Sequence, residues 1–167
     1  MTVSFFQFPR HFSSKKMKSI IIFFTIVCAL IPGISFEVRA EPITVIVNKS
    51  NEIDSIDSSD LSRIYKGQDE RWPDGSKIVI INRPIDTEIR RVFYKTVLKT
   101  RPTKKFFRMG SPIPFSTTVM KSDLATRIYV SRVPNAIGYI QYSEVDDTIK
   151  VLKINDALPT DKDYKIK

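Results

Sequence analysis

Short, unbroken runs of β-branched residues alternate along this chain with stretches whose apolar positions recur every three to four residues. Lys77 to Asn82 holds four such residues in a row, Ile78, Val79, Ile80 and Ile81. An apolar run without alternation predicts a strand buried on both faces, as in a parallel sheet. Pro84 closes it, because proline lacks a ladder N–H and holds Arg83 extended. Ile89, Val92, Phe93, Thr96 and Val97 then recur at helical spacing, with Asp86 or Thr87 as the N-cap. The stretch 77–97 thus reads as strand, tight turn, helix. Its turn lies just past the carboxyl end of a central strand, where open α/β sheets bind ligands and where free helix N–H groups favour anions.

The remaining chain continues the alternation. Ile43 to Asn48 is a second buried strand, and Asn51 to Ser59 is a polar loop. Ser58 or Ser59 can cap a short helix running through Lys66, with Leu61, Ile64 and Tyr65 on one face and Gly67 as its stop. Trp72-Pro73-Asp74-Gly75 is a turn. Met109 to Met120 is irregular, with Gly110, Pro112 and Pro114. Ser122 caps a predicted helix from Asp123 to about Arg132, with Leu124, Ala125, Ile128 and Tyr129 facing inwards. Ala136 to Gln141 is a strand in which Gly138 marks a close approach of two backbones. Asp146-Asp147 is a turn, Thr148 to Ile154 a last strand, and 156–167 a polar tail. Strands and helices in this order predict an α/β fold with a mostly parallel, twisted sheet flanked by helices.

The first forty residues belong to a different class. Arg10, Lys15, Lys16 and Lys18 precede the apolar run Ile20 to Ile31, and Val38-Arg39-Ala40 ends in a small residue before Glu41-Pro42. Basic region, short apolar core and small-residue site together predict a cleavable signal peptide over 1–40, with Met17 an alternative start and a periplasmic destination. The apolar core is short for a membrane span. Cys28 lies within it behind Val27, not behind the small residue that a lipidation signal wants.

Removing the leader leaves 127 residues with 22 basic and 17 acidic side chains, enough for one domain with a real core. The sole cysteine, Cys28, and the sole histidine, His11, go with the leader. Disulfides, thiol nucleophiles, histidine bases and Cys/His zinc sites are therefore excluded from the domain. No cofactor or metal is implied. Carboxylate chemistry remains, through Asp86 with Glu88 or Asp146 with Asp147. Adjacent carboxylates on an extended chain point apart, however, and nothing in this spacing makes two groups converge on a substrate. The domain is read as no enzyme. Lys99 to Arg108 is basic, with Phe106 and Phe107 inside it. At a net charge of +5 it is read as a solvated helical face over two core phenylalanines, with anionic lipid or a protein partner as the alternative and nucleic acid set aside.

Three pieces in order, IYKGQDERWPDGSKIVIINRP, TEIRRVF and NAIGYI, resemble the phosphate-binding periplasmic component of ABC-type phosphate importers. They are closer still to its short, single-lobe relatives. The resemblance spans about Ile43 to Ile154. It implies one lobe of a type 2 periplasmic-binding-protein fold (41–155) and a solute-binding function outside the cytoplasm. The family pairs an arginine with a Gly-Ser-Gly-Thr turn at a helix start. Arg83 matches the arginine and Thr87 the serine, while Asp86, Glu88 and Ile89 replace the other three. Side chains there hinder the approach of backbone N–H groups to an anion, and two carboxylates repel it.

The resemblance implies phosphate or another oxyanion as ligand, with Arg83 supplying charge, Thr87 a hydroxyl, and Glu88 and Ile89 backbone N–H groups. The hydroxyls of Ser116 to Thr118 are a further candidate cluster. One lobe offers one wall of a cleft, so a homodimer mate or a membrane transporter would close the other side. The alternative is a non-catalytic interaction module that keeps the lobe as scaffold with a decayed ligand site.

Overall fold

In a computed structural model, which describes residues 40–167, the run Ile43–Asn48 is strand β1 and every one of its residues is buried. There follow β2 (Ser55–Ile56), helix α1 (Ser58–Tyr65), β3 (Val79–Asn82) and helix α2 (Glu88–Phe93). A π-helical turn, Tyr94–Leu98, extends α2. Then come β4 (Thr118–Val119), helix α3 (Asp123–Arg132), β5 (Ala136–Gln141), β6 (Ile149–Val151) and β7 (Lys153–Ile154). Of the leader expected over 1–40, residues 1–39 lie outside the described residues.

The five-stranded sheet has the order β4-β3-β5-β1-β6, and β2 pairs with β7 in a small second sheet. β3 runs parallel to both β4 and β5, while β1 runs antiparallel to β5 and β6. Four strands therefore share one direction and β1 opposes them, which gives the mostly parallel α/β sheet the sequence predicts. Residue parity divides each strand between two cores. Val45, Val47, Ile80, Ile137 and Tyr139 face α1, α2 and the chain's end; Ile46, Ile81, Ala136 and Ile140 face Val130 of α3. Burial on both faces is the physical reason for the unbroken apolar runs.

Local signals set most boundaries. Gly67 has φ +73° and Gly75 φ +83°, each just past an element that must turn. Ser122 caps α3 by accepting the Ala125 N–H at 3.1 Å. The cap of α1 differs from expectation. The helix starts one residue early, at Ser58, because the Asn155 side chain accepts the Ser58 N–H at 2.8 Å and leaves Asp57 at the cap position.

Five further expectations are corrected. The basic stretch is not a helical face: the helix ends at Leu98 with Lys99 left-handed at φ 56°, and Phe107 is 53% exposed while only Phe106 packs on the core. The inner face of α3 is Thr126 and Val130 with Tyr129 packed beside them, and Leu124 and Ile128 are 51% and 41% exposed. Gly138 marks a helix approach, not a backbone one, since a Cβ there would lie 2.8 Å from Thr126 Cγ2 and 3.3 Å from Val130 Cγ2. Thr148 to Ile154 divides into β6 and β7, because the chain leaves β1 at Leu152 and crosses to β2. The segment 156–167 is no free tail. Tyr164 and Ile166 are buried, Tyr164 Oη donates to the Ile43 carbonyl at 2.6 Å, and the Ile43 N–H donates to the Ile166 carbonyl at 2.8 Å. Residues 40–167 form one compact unit with its own core.

Two stability effects follow from this packing. Gly138→Ala forces a methyl against two β-branched side chains whose rotamers are fixed in a helix, which costs roughly 1–3 kcal/mol. Adding Thr126→Ser removes the clashing methyl, so the double variant recovers part of the loss in urea unfolding. Tyr164→Ala removes a buried ring and its hydrogen bond and lowers stability by about 3–5 kcal/mol in the same assay. A truly solvated tail residue would change it by less than about 0.5 kcal/mol.

Candidate ligand site at the end of the central strand

β3 delivers two polar side chains to its carboxyl end, and both are buried. Asn82 Oδ1 accepts the Tyr139 hydroxyl at 2.6 Å and the Arg83 N–H at 2.9 Å, and its Nδ2 donates to Tyr94 Oη at 2.9 Å. Burial pushes the Tyr139 phenol up, as it does the neighbouring Tyr65, so both stay protonated. The Tyr139 ring stacks on Phe93 at 4.0 Å between centroids, nearly parallel. Strand, helix α2 and β5 are thereby locked to one another at the point where a ligand would approach.

Arg83, 6% exposed, turns towards α3. Its Nη1 donates to Asp123 Oδ1 at 2.5 Å and to Thr126 Oγ1 at 3.4 Å, and Nη2 donates to the Lys121 carbonyl at 3.3 Å. Its Nε has no partner. The partner of this buried cation is Asp123 and not the adjacent Asp86, because Pro84 directs the chain away while α3 packs over the strand end.

The other sequence candidates separate. Thr87 sits at the cap position of α2, yet its hydroxyl makes no cap and donates to the Pro84 carbonyl at 2.7 Å. Glu88 is exposed and paired with Arg91. The Ile89 side chain is buried in the main core. Side chains of Arg83, Thr87, Glu88 and Ile89 do not line one cavity together.

A cavity of about 220 Å³ does lie at this end of β3. Asn82, Arg90, Thr103, Lys104, Lys105 and Thr117 supply its polar lining, and no carboxylate lines it. Arg90 is held by carbonyls alone: Nη1 donates to the Arg83 carbonyl at 2.7 Å, Nε and Nη2 to the Pro102 carbonyl at 3.1 and 3.0 Å. The guanidinium also lies over the Tyr94 ring, 4.4 Å from its centroid. Three of its five N–H groups are engaged and two remain. Thr117, from the hydroxyl cluster 116–118, reaches this cavity. Lys104 and Lys105 belong to the basic stretch 99–108, whereas nothing in the pattern marks Arg90; the signal that points to it is that residues 89–122 contain no Asp or Glu. A larger groove of about 870 Å³ is lined by Asp57, Asp60, Asp69 and Glu70 against Arg63 and Arg71, and Arg63 is already paired with Asp60 and Asp69, a net negative wall unsuited to an anion.

Comparison with known proteins agrees with this architecture. Three solved structures share the fold. An ABC-type phosphate transport receptor from Vibrio cholerae is 22% identical with a TM-score of 0.61, covering 72% of this chain and 48% of that one. A putative phosphate ABC transporter substrate-binding protein from Clostridium perfringens, solved with bound phosphate, is 23% identical with a TM-score of 0.63, over 75% and 52%. PstS from Borrelia burgdorferi is 22% identical with a TM-score of 0.62, over 75% and 54%. The chain thus spans about half the length of these receptors. The profile of the PBP superfamily domain matches residues 33–166, nearly the whole of the described fold, and the chain belongs to that family.

Proposed function

We propose that this chain is an exported, non-catalytic solute-binding lobe that takes phosphate or another small oxyanion at the carboxyl end of β3. The observation that carries the reading is the 220 Å³ cavity, in which Arg90, Lys104 and Lys105 meet the hydroxyls of Thr103 and Thr117 without a carboxylate. Arg90 is pre-organised by its carbonyl partners and keeps an uncompensated charge, which suits charge-assisted hydrogen bonds to an oxyanion. The candidates from the turn lie outside that cavity and make a separate, competing position for the anion: Arg83 through its unclaimed Nε, Thr87, and the backbone N–H groups of Glu88 and Ile89. Export through a cleavable leader over 1–40 places the lobe in the periplasm, where a second copy or a membrane transporter closes its open side. The bound phosphate named for the Clostridium perfringens structure supports the choice of ligand.

A second reading is favoured by one specific contact. Asp123 already neutralises Arg83 at 2.5 Å, as in a lobe kept for its shape and acting through protein contacts.

Calorimetric titration with phosphate, with sulfate as control, separates the two. The oxyanion reading expects saturable, phosphate-selective heat, and Arg90→Ala weakens binding by about tenfold or more, the loss of one charge-assisted bond. Flat traces from folded protein leave the scaffold reading in place. Asp123→Asn provides an independent check. It removes the partner of a buried cation and lowers stability by roughly 2–3 kcal/mol, less than for a fully buried pair. If the anion sits at the turn, the same change frees Arg83 and tightens phosphate binding; if it sits in the Arg90 cavity, or if the lobe is a scaffold, stability alone changes.

A further inference from the structure

The carboxylate-free stretch 89–122 brings four of its unpaired cations to one depression of the surface. Lys95, Lys99, Arg101 and Lys104 line a shallow depression of about 640 Å³ with Thr100 and Thr103. All four cations are exposed, and none of them forms an ion pair among the described residues. Beyond them the exposure alternates. Lys105, Phe107 and Met109 face solvent, whereas Phe106 turns onto the core and Arg108 onto Glu70 and the Phe115 ring. Phe107 bridges Pro114 in antiparallel fashion, so 107–114 closes into a narrow loop. Met109 at its tip is fully exposed and Ile113 is 72% exposed.

Single apolar side chains on a surface are ordinary. Three large ones on one loop, which follows within three residues of the last cation of the depression, form a different pattern. We propose that this face docks on an anionic lipid surface, with the cations on headgroup phosphates and Met109 and Ile113 entering the boundary between headgroups and acyl chains. Nucleic acid fits less well, because a strand needs a row of stacking rings and Phe107 is the one exposed aromatic residue of this loop. An acidic protein surface would satisfy the cations and leave the aliphatic tip in water. The inference goes beyond the solute-binding reading and does not depend on it.

Residues 40–167 carry their own core and can be assayed without the apolar leader. Sedimentation with vesicles of phosphatidylcholine, alone or mixed with phosphatidylglycerol, tests the proposal, with circular dichroism confirming that each variant is folded. Binding is expected to the mixed vesicles only and to fall with salt. Lys95→Glu with Arg101→Glu weakens it by at least about tenfold, given roughly fivefold per cation. Met109→Asp with Ile113→Asp, which leaves every cation in place, also weakens it severalfold. Neither pair touches the oxyanion cavity, so failure here is distinct from failure of phosphate binding. Absence of binding to mixed vesicles overturns the proposal. So does vesicle binding that the tip variant leaves unchanged, or retention by nucleic acid or an acidic polypeptide without vesicle binding.

Discussion

The ion pair between Arg83 and Asp123 ties the end of β3 to the first turn of α3 and constrains how that helix lies on the sheet. A guanidinium this buried needs its charge answered and its donors engaged. Asp123 and Thr126 are three residues apart on α3, so one helical face must turn towards the strand end to meet Arg83. That requirement sets the rotation of the helix about its axis. Val130, one turn further on, is carried onto the sheet, and Gly138 gives the helix room to approach. Asn48 completes the attachment at the other end, donating to the carbonyls of Val130 and Ser131 at 2.8 Å each. Leu124 and Ile128 are left outside as a consequence, though a hydrophobic argument alone would have put them inside.

The two arginines near the end of β3 are treated in opposite ways. Arg83 meets a carboxylate and becomes electrically closed. Arg90 meets only carbonyl oxygens and a ring face, which orient it without cancelling its charge. The link between them is direct, because the Arg83 carbonyl is one of the acceptors that hold Arg90. The buried pair on one side of the strand thus supports an open cation on the other. The Asn82, Tyr139 and Tyr94 network keeps this arrangement rigid, and its buried side-chain polar atoms all have partners.

The sequence revealed the parts governed by local physics. The β-branched runs at 43–48 and 77–82, the Ser122 cap, the stop at Gly67 and the turn at Gly75 each follow from backbone preference or burial on two faces. The errors lie where a distant residue decides. In the stripe Leu124, Ala125, Ile128 and Tyr129, Tyr129 does pack on the core, but Arg83, some forty residues earlier, turns a face containing Asp123 and Thr126 towards the strand end and leaves Leu124 and Ile128 outside. Tyr164 and Ile166 are two apolar residues in a polar segment, too few for a periodic signal, and only the open start of β1 gives them a place. At the candidate site, the turn residues were legible as a position in the fold. Lys104 was legible only as part of a basic stretch, and Arg90 not at all, because what distinguishes it is the absence of nearby carboxylates, a property of the stretch 89–122 as a whole.

A lobe of this size meets a physical limit as an anion binder. A phosphate on a single open wall stays hydrated on its other side, and an exposed ion contact contributes only about 0–1 kcal/mol. The phosphate receptors that share the fold are about twice as long. Here the wall is improved by different means: Arg90 is immobilised before any ligand arrives, and the loop carrying Phe115 and Thr117 folds back over Gly67 to deepen the cavity. Pre-organisation of this kind lowers the entropy lost on binding but leaves the desolvation of the anion incomplete. Under the proposed oxyanion reading, tight binding requires a second wall on the open side, and affinity for the anion is then coupled to the contact that supplies that wall.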